Sequence, residues 1–395
     1  MVRRVAPVFC GLLALTAVAA QPAGVDGVPW VRFDNPIARL SMELPADWSM
    51  GASDYGPMTA AIDAGVAVSP PSTQPVLWIM RHRFTAEEAA RQLVRDLTAV
   101  NGAAPTIEQA PGGDWLISAT ANGARGPLSE IWCSRVQGDE TFMVGAMMRP
   151  EVSAKWSADV RRMIASSRLI AGPPLKTQRE PTERAYRLAM PADWTWEGRI
   201  VRTPQVPGYF EYKVKRPDGL AGAFNAPPAV IDLRTPYMEP GAATRTLLLP
   251  ALAQLVPGLR VDKVRPLPRV GAYFRDAIRR AGLGANPLCD RAEVDCVGEA
   301  GGVPLRIRLT VGALQLDQSA ILGGRGTWTL YTNGVWAPEA EFEQVYPIGR
   351  GVLASIRTEP DWRRSQKEAA DAASGFRNDM RRVFGELWSE HFRED

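Results

Sequence analysis

Histidine and cysteine, the residues that most often supply a catalytic base, a nucleophile or a zinc ligand, are scarce in this sequence. Its 395 residues include 2 histidines, His82 and His391, and 4 cysteines. A serine or cysteine hydrolase needs a base beside its nucleophile, and a structural zinc site needs about four Cys or His ligands. Neither set can be assembled, and no dense Asp/Glu cluster replaces it. The sequence therefore predicts no catalytic residue, no metal site and no cofactor.

Cysteine spacing predicts one local crosslink. Cys133, Cys289 and Cys296 are the cysteines that follow the N-terminal segment. The spacing Cys289-x6-Cys296 is wider than that of a zinc knuckle, whereas an exported protein meets an oxidising compartment. We therefore expect a disulfide between Cys289 and Cys296, with Cys133 as a lone thiol buried like a small apolar residue.

Gly323-Gly324-Arg325-Gly326 is the glycine cluster that invites comparison with a phosphate-binding loop. It lacks the Gly-Lys-Ser/Thr ending of such loops, and the alternating segment Thr327 to Tyr331 follows it. The pattern favours a hairpin turn. Acidic runs such as Glu339, Glu341 and Glu343 are typical of turns and helix surfaces, because sequence proximity alone does not place two carboxylates across a groove.

Aromatic residues without a counterpart elsewhere in the chain are the remaining candidate binding residues. Trp328 and Trp336 are of this kind, and Phe384 and Trp388 belong to an apolar pattern near the C-terminus. Aromatic side chains of this kind can line a groove for a ligand or a protein partner. The sequence therefore nominates these four as candidate partner-binding residues, although packing in the core is the ordinary use of a tryptophan.

The elements that must position these residues begin with an export signal. Arg3-Arg4 precede the apolar run Val5 to Ala19, and Ala17 to Ala20 supply the small residues of a cleavage site. This pattern predicts a signal peptide at residues 1–20 and a periplasmic or secreted bacterial protein. No other stretch is apolar and long enough for a transmembrane segment.

The overall charge is close to neutral, with 46 Lys and Arg against 43 Asp and Glu. Such a balance gives no general argument for binding to nucleic acid or membranes, and we predict no nucleic-acid partner. One segment, Arg260 to Arg291, is locally basic. Two interpretations stay open for it: a solvated basic face, or a site for an anionic partner such as a lipid head group, a glycan or an acidic protein.

A repeated motif defines the organisation of the chain. Leu44-Pro45-Ala46-Asp47-Trp48 returns as Met190-Pro191-Ala192-Asp193-Trp194, in each case after a strand-like segment. Proline presets φ, aspartate can bond nearby backbone amides, and tryptophan packs onto the core. The motif therefore predicts a structural turn that is present once in each of two copies.

Further matches follow in the same order. A helix is predicted over residues 86–100, after Thr85 as N-cap with Glu88 at the capping-box position, and its counterpart over residues 244–256. The later matches pair residues 129–133 with 292–296, 144–147 with 311–314, and 164–169 with 353–358. The growing separation between matches predicts insertions in the second copy at 217–226, 266–289 and 315–336.

These matches predict two domains, residues 30–172 (copy one) and residues 182–361 (copy two). A Pro-rich linker of residues 173–181 joins them, and a C-terminal segment of residues 362–395 follows. Strands outnumber helices, and the helices are interspersed. The predicted fold class is α+β, with two tandem α/β/α sandwich domains, each an antiparallel sheet flanked by helices, plus a C-terminal helix.

The pattern of a segment ending in P-x-x-W, an antiparallel sheet, and a closing helix before a Ser-Arg strand resembles the PsbP-like fold. This is the fold of the photosystem II extrinsic protein and of bacterial envelope relatives such as DcrB. The resemblance covers both copies and leaves the copy-two insertions and the C-terminal segment unmatched. It implies a binding or assembly role, and it supplies no catalytic residues.

The C-terminal segment predicts an amphipathic helix, because Phe376, Met380, Val383 and Leu387 recur at helical spacing among balanced charges. Three interpretations stay open: packing on copy two, docking or self-association, and an interfacial membrane helix.

For function, the leading hypothesis is an exported, non-catalytic binding or assembly factor of the bacterial cell envelope with a protein partner there. Whether the protein is an enzyme is not decided by the sequence. One alternative is a hydrolytic enzyme of unfamiliar type with its site in the copy-two insertions. Another is a structural partner recruited through the C-terminal helix.

Overall fold

The fold is α+β, with antiparallel sheets flanked by helices and a helix in the C-terminal segment. The computed structural model describes residues 27–52, 62–69, 76–82, 84–101, 104–110, 113–123, 126–202, 208–232, 234–253, 256–280, 286–316 and 327–372. The predicted signal peptide, and Phe384 and Trp388 of the predicted C-terminal helix, lie outside these ranges.

Copy one consists of strands and two helices in the described ranges. The strands are β1 Trp30–Asn35, β2 Leu40–Pro45, β3 Ser49–Ala52, β4 Ile62–Ser69, β5 Val76–His82, β6 Thr106–Gln109, β7 Trp115–Gly123, β8 Gly126–Gln137, β9 Glu140–Met148 and β10 Arg168–Leu169. The helices are α1 Ala86–Asn101 and α2 Pro150–Ser166. Thr85 and Glu88 form the predicted capping box: Glu88 N donates to Thr85 Oγ1 at 3.2 Å, and Thr85 N donates to Glu88 Oε2 at 2.9 Å.

Copy two has the same kinds of element and additional helices. The strands are β11 Leu175–Arg179, β12 Tyr186–Pro191, β13 Thr195–Val201, β14 Tyr209–Lys215, β15 Gly222–Asp232, β16 Arg260–Pro266, β17 Leu288–Ala300, β18 Val303–Gln315, β19 Thr327–Pro338 and β20 Arg357–Thr358. The helices are α3 Pro240–Ala243, a π-helical turn Thr244–Leu248, α4 Leu249–Leu252, α5 Pro268–Arg280, a 3₁₀ turn Glu339–Glu341, α6 Phe342–Ala354 and α7 Pro360–Ala372.

Strand order repeats between the copies. Copy one has a seven-stranded sheet in the order β3-β4-β5-β9-β8-β7-β6 and a small sheet in the order β1-β2-β10. Copy two has a seven-stranded sheet in the order β13-β14-β15-β19-β18-β17-β16 and a small sheet in the order β11-β12-β20. Each strand of copy one therefore has a counterpart ten numbers later. Strand β11 lies in the segment predicted as a linker, and it pairs with β12 as β1 pairs with β2.

The repeated motif forms the same turn in both copies. Trp48 N donates to the Pro45 carbonyl at 3.0 Å, and Trp194 N donates to the Pro191 carbonyl at 3.1 Å. Both indole rings are buried, with 3% and 4% of the residue exposed. The motif is therefore structural.

The serine before the closing strand is also used identically. Ser166 Oγ accepts from Glu43 N at 2.9 Å, and Ser355 Oγ accepts from Ala189 N at 2.9 Å. Each serine lies at the end of the helix that precedes the closing strand, Ser166 in α2 and Ser355 after α6. Each hydroxyl therefore fastens that helix end to the strand that carries the motif.

Between the repeated motif and the serine before the closing strand, the sequence alignment of copy one with copy two was wrong by one strand. It paired Cys133 with Cys296, but Cys133 is on β8 and Cys296 is on β17, the counterpart of β7. It likewise paired residues 144–147 of β9 with residues 311–314 of β18. Neighbouring buried strands carry the same alternation of small and apolar residues, so a short pattern does not distinguish one from the next.

Helices cover both faces of each large sheet. In copy one, Leu93 of α1 packs with Trp132 on one face, and Val160 of α2 packs in the core with Phe142 on the other. In copy two, the segment from α3 to α4 covers one face around Ala243, and α6 covers the other. Within the described ranges, no helix is long and apolar enough to cross a membrane.

The copies contact each other through α6 and β1. Ile37 is buried in the copy-two core that contains Val352. A Cβ at Gly351 would lie 2.5 Å from Asn35 Oδ1, so the backbone of α6 approaches copy one too closely for a larger residue. The Arg350 guanidinium lies 5.1 Å from the centre of the Phe33 ring. Glycine at position 351 therefore permits the close packing of the copies.

Candidate ligand-binding site

The predicted disulfide is wrong, because Cys289 and Cys296 lie on one strand. Both thiols are free and buried. They are seven positions apart on β17, or roughly 23 Å at about 3.3 Å per residue, whereas a disulfide needs Cα atoms within about 7 Å. An odd separation also turns the two side chains to opposite faces of the sheet. A short sequence spacing favours a local crosslink only where the chain turns back.

The predicted aromatic binding residues occupy different environments. Trp328 is fully buried, packs edge-on against Tyr237, and donates its indole N–H to the Thr235 carbonyl at 3.0 Å. It is a core residue with no surface for a partner. Trp336 is partly buried, donates to the Gly219 carbonyl at 3.2 Å, and lies beneath the Lys213 ammonium. A partner-binding role for Trp336, Phe384 and Trp388 stays a prediction.

A row of three residues crosses the copy-two sheet on the face that α6 covers. Arg291 on β17 is opposite Gly312 on β18, which is opposite Tyr331 on β19. Cross-strand neighbours in register project to the same side of a sheet. The Arg291 side chain lies over Gly312, where a Cβ would come within 3.2 Å of Arg291 Nε. The absence of a side chain at position 312 thus lets the arginine extend across the sheet towards Tyr331.

Helix α5 supplies the other wall of this site. The Phe274 ring centre lies 4.4 Å from Arg291 Cζ, a cation–π contact that fixes one face of the guanidinium. Gly271 of the same helix lies against β17, because a Cβ there would be 2.7 Å from the Cys289 carbonyl oxygen. Helix α5 belongs to the predicted insertion 266–289 and joins β16 to β17. The site is therefore built by an element that copy one lacks.

Two tyrosines complete what we call the Arg291 cluster, defined by Arg291, Gly312, Tyr331, Tyr209 and Phe274. The ring centres of Tyr209 and Tyr331 are 6.4 Å apart. Tyr209 Oη donates to Asn225 Oδ1 at 3.1 Å. Burial raises the pKa of Tyr209 to about 12 and also raises the pKa of Tyr331. Both hydroxyls are therefore protonated donors at neutral pH.

Arg291 differs from the other arginines on its face by its lack of an acidic partner. Arg308 Nε donates to Asp295 Oδ1 at 2.5 Å, and Arg350 Nη1 lies 3.4 Å from Glu293 Oε1. Among the described residues, Arg291 has no acidic partner. None of the described residues forms a hydrogen bond with the Tyr331 hydroxyl. Burial lowers the pKa of Arg291, but an arginine stays charged throughout the physiological range. The cluster thus holds a cation and a phenol with unused donors.

Copy one contains an arginine on the corresponding face that is neutralised. Arg135 on β8 lies 5.7 Å from the centre of the Phe142 ring, and its Nη2 is 2.9 Å from Asp114 Oδ2. Its Nη1 also donates to the Ser167 carbonyl at 2.8 Å. An arginine–aromatic pair is thus present in both copies, but of these two arginines Arg135 has an acidic partner and Arg291 has none among the described residues.

Cys289 lies on the same face as Arg291, two positions earlier on β17. Burial raises the pKa of its thiol to about 11. The thiol is therefore protonated at neutral pH, and a thiol is a weak nucleophile compared with a thiolate. Cys289 is a neutral lining group of the site.

A surface groove of about 610 Å³ lies at the opposite end of β17, lined by Gly258, Arg260, Asp262, Glu299 and Glu339. Its arginine is 70% exposed and lies 4.0 Å from Asp262, so its charge is solvated and balanced. Among the described residues, no group of three or more His, Cys, Asp and Glu is arranged to hold a metal ion. The Arg291 cluster is therefore the candidate ligand-binding site of copy two.

The sequence indicated this region only as a basic segment, Arg260 to Arg291, with an anionic partner as one interpretation. It did not single out Arg291, and the other residues of the cluster come from four other elements, β14, β18, β19 and α5. The signals that were available were the insertion at 266–289 and the glycine at position 312.

No protein-family model matches the chain, and no curated protein matches it significantly. Solved structures that the chain resembles include the following three, each at low similarity. The solution structure of cyanobacterial PsbP (CyanoP) from Synechocystis has 9% identity and a TM-score of 0.24, and the match covers 47% of this chain and 92% of that one. A crystal structure from Bacteroides thetaiotaomicron has 11% identity and a TM-score of 0.19, over 47% of this chain and 49% of that one. The apo structure of the immunity protein TplEi of the T6SS from Pseudomonas aeruginosa has 10% identity and a TM-score of 0.23, and the match covers 84% of this chain and 97% of that one.

Proposed function

We propose that this chain is an exported, non-catalytic binding or assembly factor of the bacterial cell envelope, and that copy two holds its binding site. The observation that carries the proposal is Arg291, a partly buried cation without an acidic partner among the described residues. Withdrawing an unpaired charge from water is costly, so folded proteins pair such charges or use them. A bound group on the partner would supply the missing counter-charge.

We extend the proposal to the fold family and assign both copies to the PsbP-like domains. The support is internal to the chain. Each copy has a helix-covered antiparallel sheet, the same Pro-Ala-Asp-Trp turn and the same serine-fastened closing helix. Export is supported by Arg3-Arg4, the apolar run after them, and the small residues Ala17 to Ala20.

A hydrolytic enzyme with its site in the copy-two insertions is the alternative. Helix α5 is such an insertion, and it borders Arg291, whose guanidinium could stabilise an oxyanion. However, the thiol that could act as a nucleophile on this face is that of Cys289. Burial raises its pKa to about 11, so it stays protonated at neutral pH and is a weak nucleophile. The geometry therefore favours binding at this site.

Recruitment through the C-terminal helix is a separate alternative. The first turn of α7 is attached to copy two, since the Trp362 ring lies 5.4 Å from that of Phe210 and its indole N–H donates to Glu183 Oε2 at 2.8 Å. This contact supports packing of the start of the helix on copy two. Recruitment by residues 373–395 stays a prediction.

The experiment that tests the proposed function compares variants of the exported protein in its own envelope. Affinity-tagged wild type, Arg291→Gln and Arg260→Gln would be crosslinked in cells and purified from the envelope fraction. Arg260 is a matched control because it loses the same charge at a solvated position. We expect wild type and Arg260→Gln to retain one common partner, and Arg291→Gln to lose it. Equal retention by all three would contradict the proposal.

A further inference from the structure

We infer that the group bound by copy two is a singly charged oxyanion, a carboxylate or a phosphodiester, that accepts hydrogen bonds from the Arg291 guanidinium and the Tyr331 hydroxyl. This inference rests on the proposed function, because it names the ligand chemistry of the same site. It makes a claim that the proposed function does not make, since a partner could also bind copy two through apolar or neutral groups.

The charge of the Arg291 cluster matches one negative charge. Arg291 is its cation, and Tyr209, Tyr331 and Cys289 are neutral at physiological pH because burial raises the pKa of each. The nearest acid along β17 is not free, since Asp290 accepts from Tyr237 Oη at 2.8 Å and lies 3.3 Å from Arg275 Nη1. A single negative charge would therefore neutralise the cluster, and a second would be left unbalanced.

The donors of the cluster suit an oxygen acceptor. A guanidinium presents five N–H donors in one plane, and oxyanions accept them in pairs. Phe274 covers one face of the Arg291 guanidinium at 4.4 Å, which leaves the donors at its edge available. Arg291 and Tyr331 lie on strands two positions apart, so their Cα atoms are roughly 10 Å from each other. The Arg291 side chain lies over Gly312 and comes close enough to Tyr331 to interact with it electrostatically. One acceptor group can therefore meet the donors of both residues.

The surroundings disfavour a strongly hydrated dianion. Two tyrosine rings and Phe274 line the cluster, and these residues are partly withdrawn from water. Removing water from an ion costs more as its charge rises. We therefore expect inorganic phosphate, which is mostly a dianion at pH 8, to bind less tightly than a carboxylate or a phosphodiester.

Isothermal titration of the purified mature protein at pH 8 tests the inference with three probes: butyrate, dimethyl phosphate and inorganic phosphate. We expect butyrate or dimethyl phosphate to bind with one site per chain, and the tighter of the two identifies the source as a carboxylate or a phosphodiester. Arg291→Gln should weaken this binding about tenfold or more, as should Tyr331→Phe, because each loses a hydrogen bond to a charged group. Arg260→Gln should bind like wild type.

The fold of each variant is checked by circular dichroism and thermal unfolding. Arg291→Gln removes an unpaired charge, so it should keep the unfolding midpoint of wild type or raise it. If it unfolds instead, Arg291→Lys decides, because it keeps the charge but loses the paired donors and should still bind more weakly.

The inference is overturned if neither monoanion binds, if Arg291→Gln binds with unchanged affinity, or if inorganic phosphate binds most tightly. Its failure can be separated from failure of the proposed function. Loss of the envelope partner in Arg291→Gln without binding of any probe would refute only the inference. Probe binding that depends on Arg291, with equal partner retention by all variants in cells, would refute only the proposed function.

Discussion

Arg269 at the start of the inserted helix α5 forms an ion pair with Asp47 in the repeated motif of copy one, with 3.2 Å between Nε and Oδ2. The Asp47 side chain is only 9% exposed. The same guanidinium lies 5.9 Å from the centre of the Trp156 ring of α2. Helix α5 therefore contacts copy one at its first turn and Arg291 at Phe274. The corresponding motif residue of copy two, Asp193, is exposed to solvent.

The two motif aspartates are expected to differ in their effect on stability. Asp47→Asn removes the negative charge from a buried ion pair, and we expect the free energy of unfolding to fall by about 1–3 kcal/mol. Asp193→Asn is the matched control and should change it by no more than about 0.5 kcal/mol. Urea denaturation of both variants measures the difference. Equal effects would show that the ion pair does not stabilise the contact between the copies.

The serine hydroxyls are expected to make equal contributions in the two copies. Ser166→Ala and Ser355→Ala each leave a strand N–H without its acceptor at 2.9 Å, so each should cost about 1 kcal/mol or slightly more. Ser365→Ala, at an exposed position of α7, is the control and should be nearly neutral. Denaturant midpoints provide the measurement. A neutral Ser355→Ala would mean that packing alone holds the end of α6.

Two glycines on the large sheets are expected to respond differently to a methyl group. A Cβ at Gly145 would come within 2.0 Å of the fully buried Trp132 ring, so Gly145→Ala should destabilise copy one by about 3 kcal/mol or more. At Gly312 the nearest atom, at 3.2 Å, belongs to the longer Arg291 side chain. Gly312→Ala should therefore cost little stability and mainly weaken anion binding. Thermal unfolding and titration together distinguish these effects, and a large loss of stability in Gly312→Ala would contradict the assignment.

The cysteines are expected to be free and slow to react in the folded protein. Burial raises the pKa of Cys289 to about 11 and of Cys296 to about 12, so the reactive thiolate is scarce at pH 8 and increases about tenfold per pH unit below those values. Alkylation of the mature protein followed by mass spectrometry should label three cysteines after unfolding and almost none before. One labelled cysteine after unfolding would instead indicate a disulfide.

Glu130 is expected to make stability depend on pH. It is 3% exposed, accepts from the Trp132 indole N–H at 2.8 Å, and burial raises the pKa of its carboxyl. The folded state therefore favours the protonated form, and stability from this group is present at low pH and lost as pH rises through the raised pKa. Glu130→Gln removes the charge, so it should be more favourable relative to wild type at pH 7 than at pH 4. Denaturation at both pH values measures this, and a pH-independent difference would refute it.

Local signals predicted local structure well in this chain. The Thr85–Glu88 capping box starts α1, and the Pro-Ala-Asp-Trp motif forms the same turn twice. Such features depend on residues within a few positions of each other, so their physics is contained in the sequence. The α+β class followed in the same way from the alternation of extended and helical patterns.

Predictions that needed to know which strands are neighbours were the ones that failed. Cys289 and Cys296 are close in sequence but lie on one extended strand, and Trp328 is in the core although it lacks a counterpart in copy one. Strand patterns repeat every two residues, so a short stretch indicates a strand but not its place in the sheet.

The sequence by itself thus determined the repeat, the motif turn and the capped helix. Only the tertiary structure decided which charge is left without a partner. In the sequence, nothing distinguishes Arg291 from the other arginines of its basic segment. In the fold it differs from them, because Gly312 and Tyr331 align beside it and Phe274 covers one face of its guanidinium. The reason is that the surroundings of a charge are set by groups near it in space, and around Arg291 those groups come from four separate elements, β14, β18, β19 and α5.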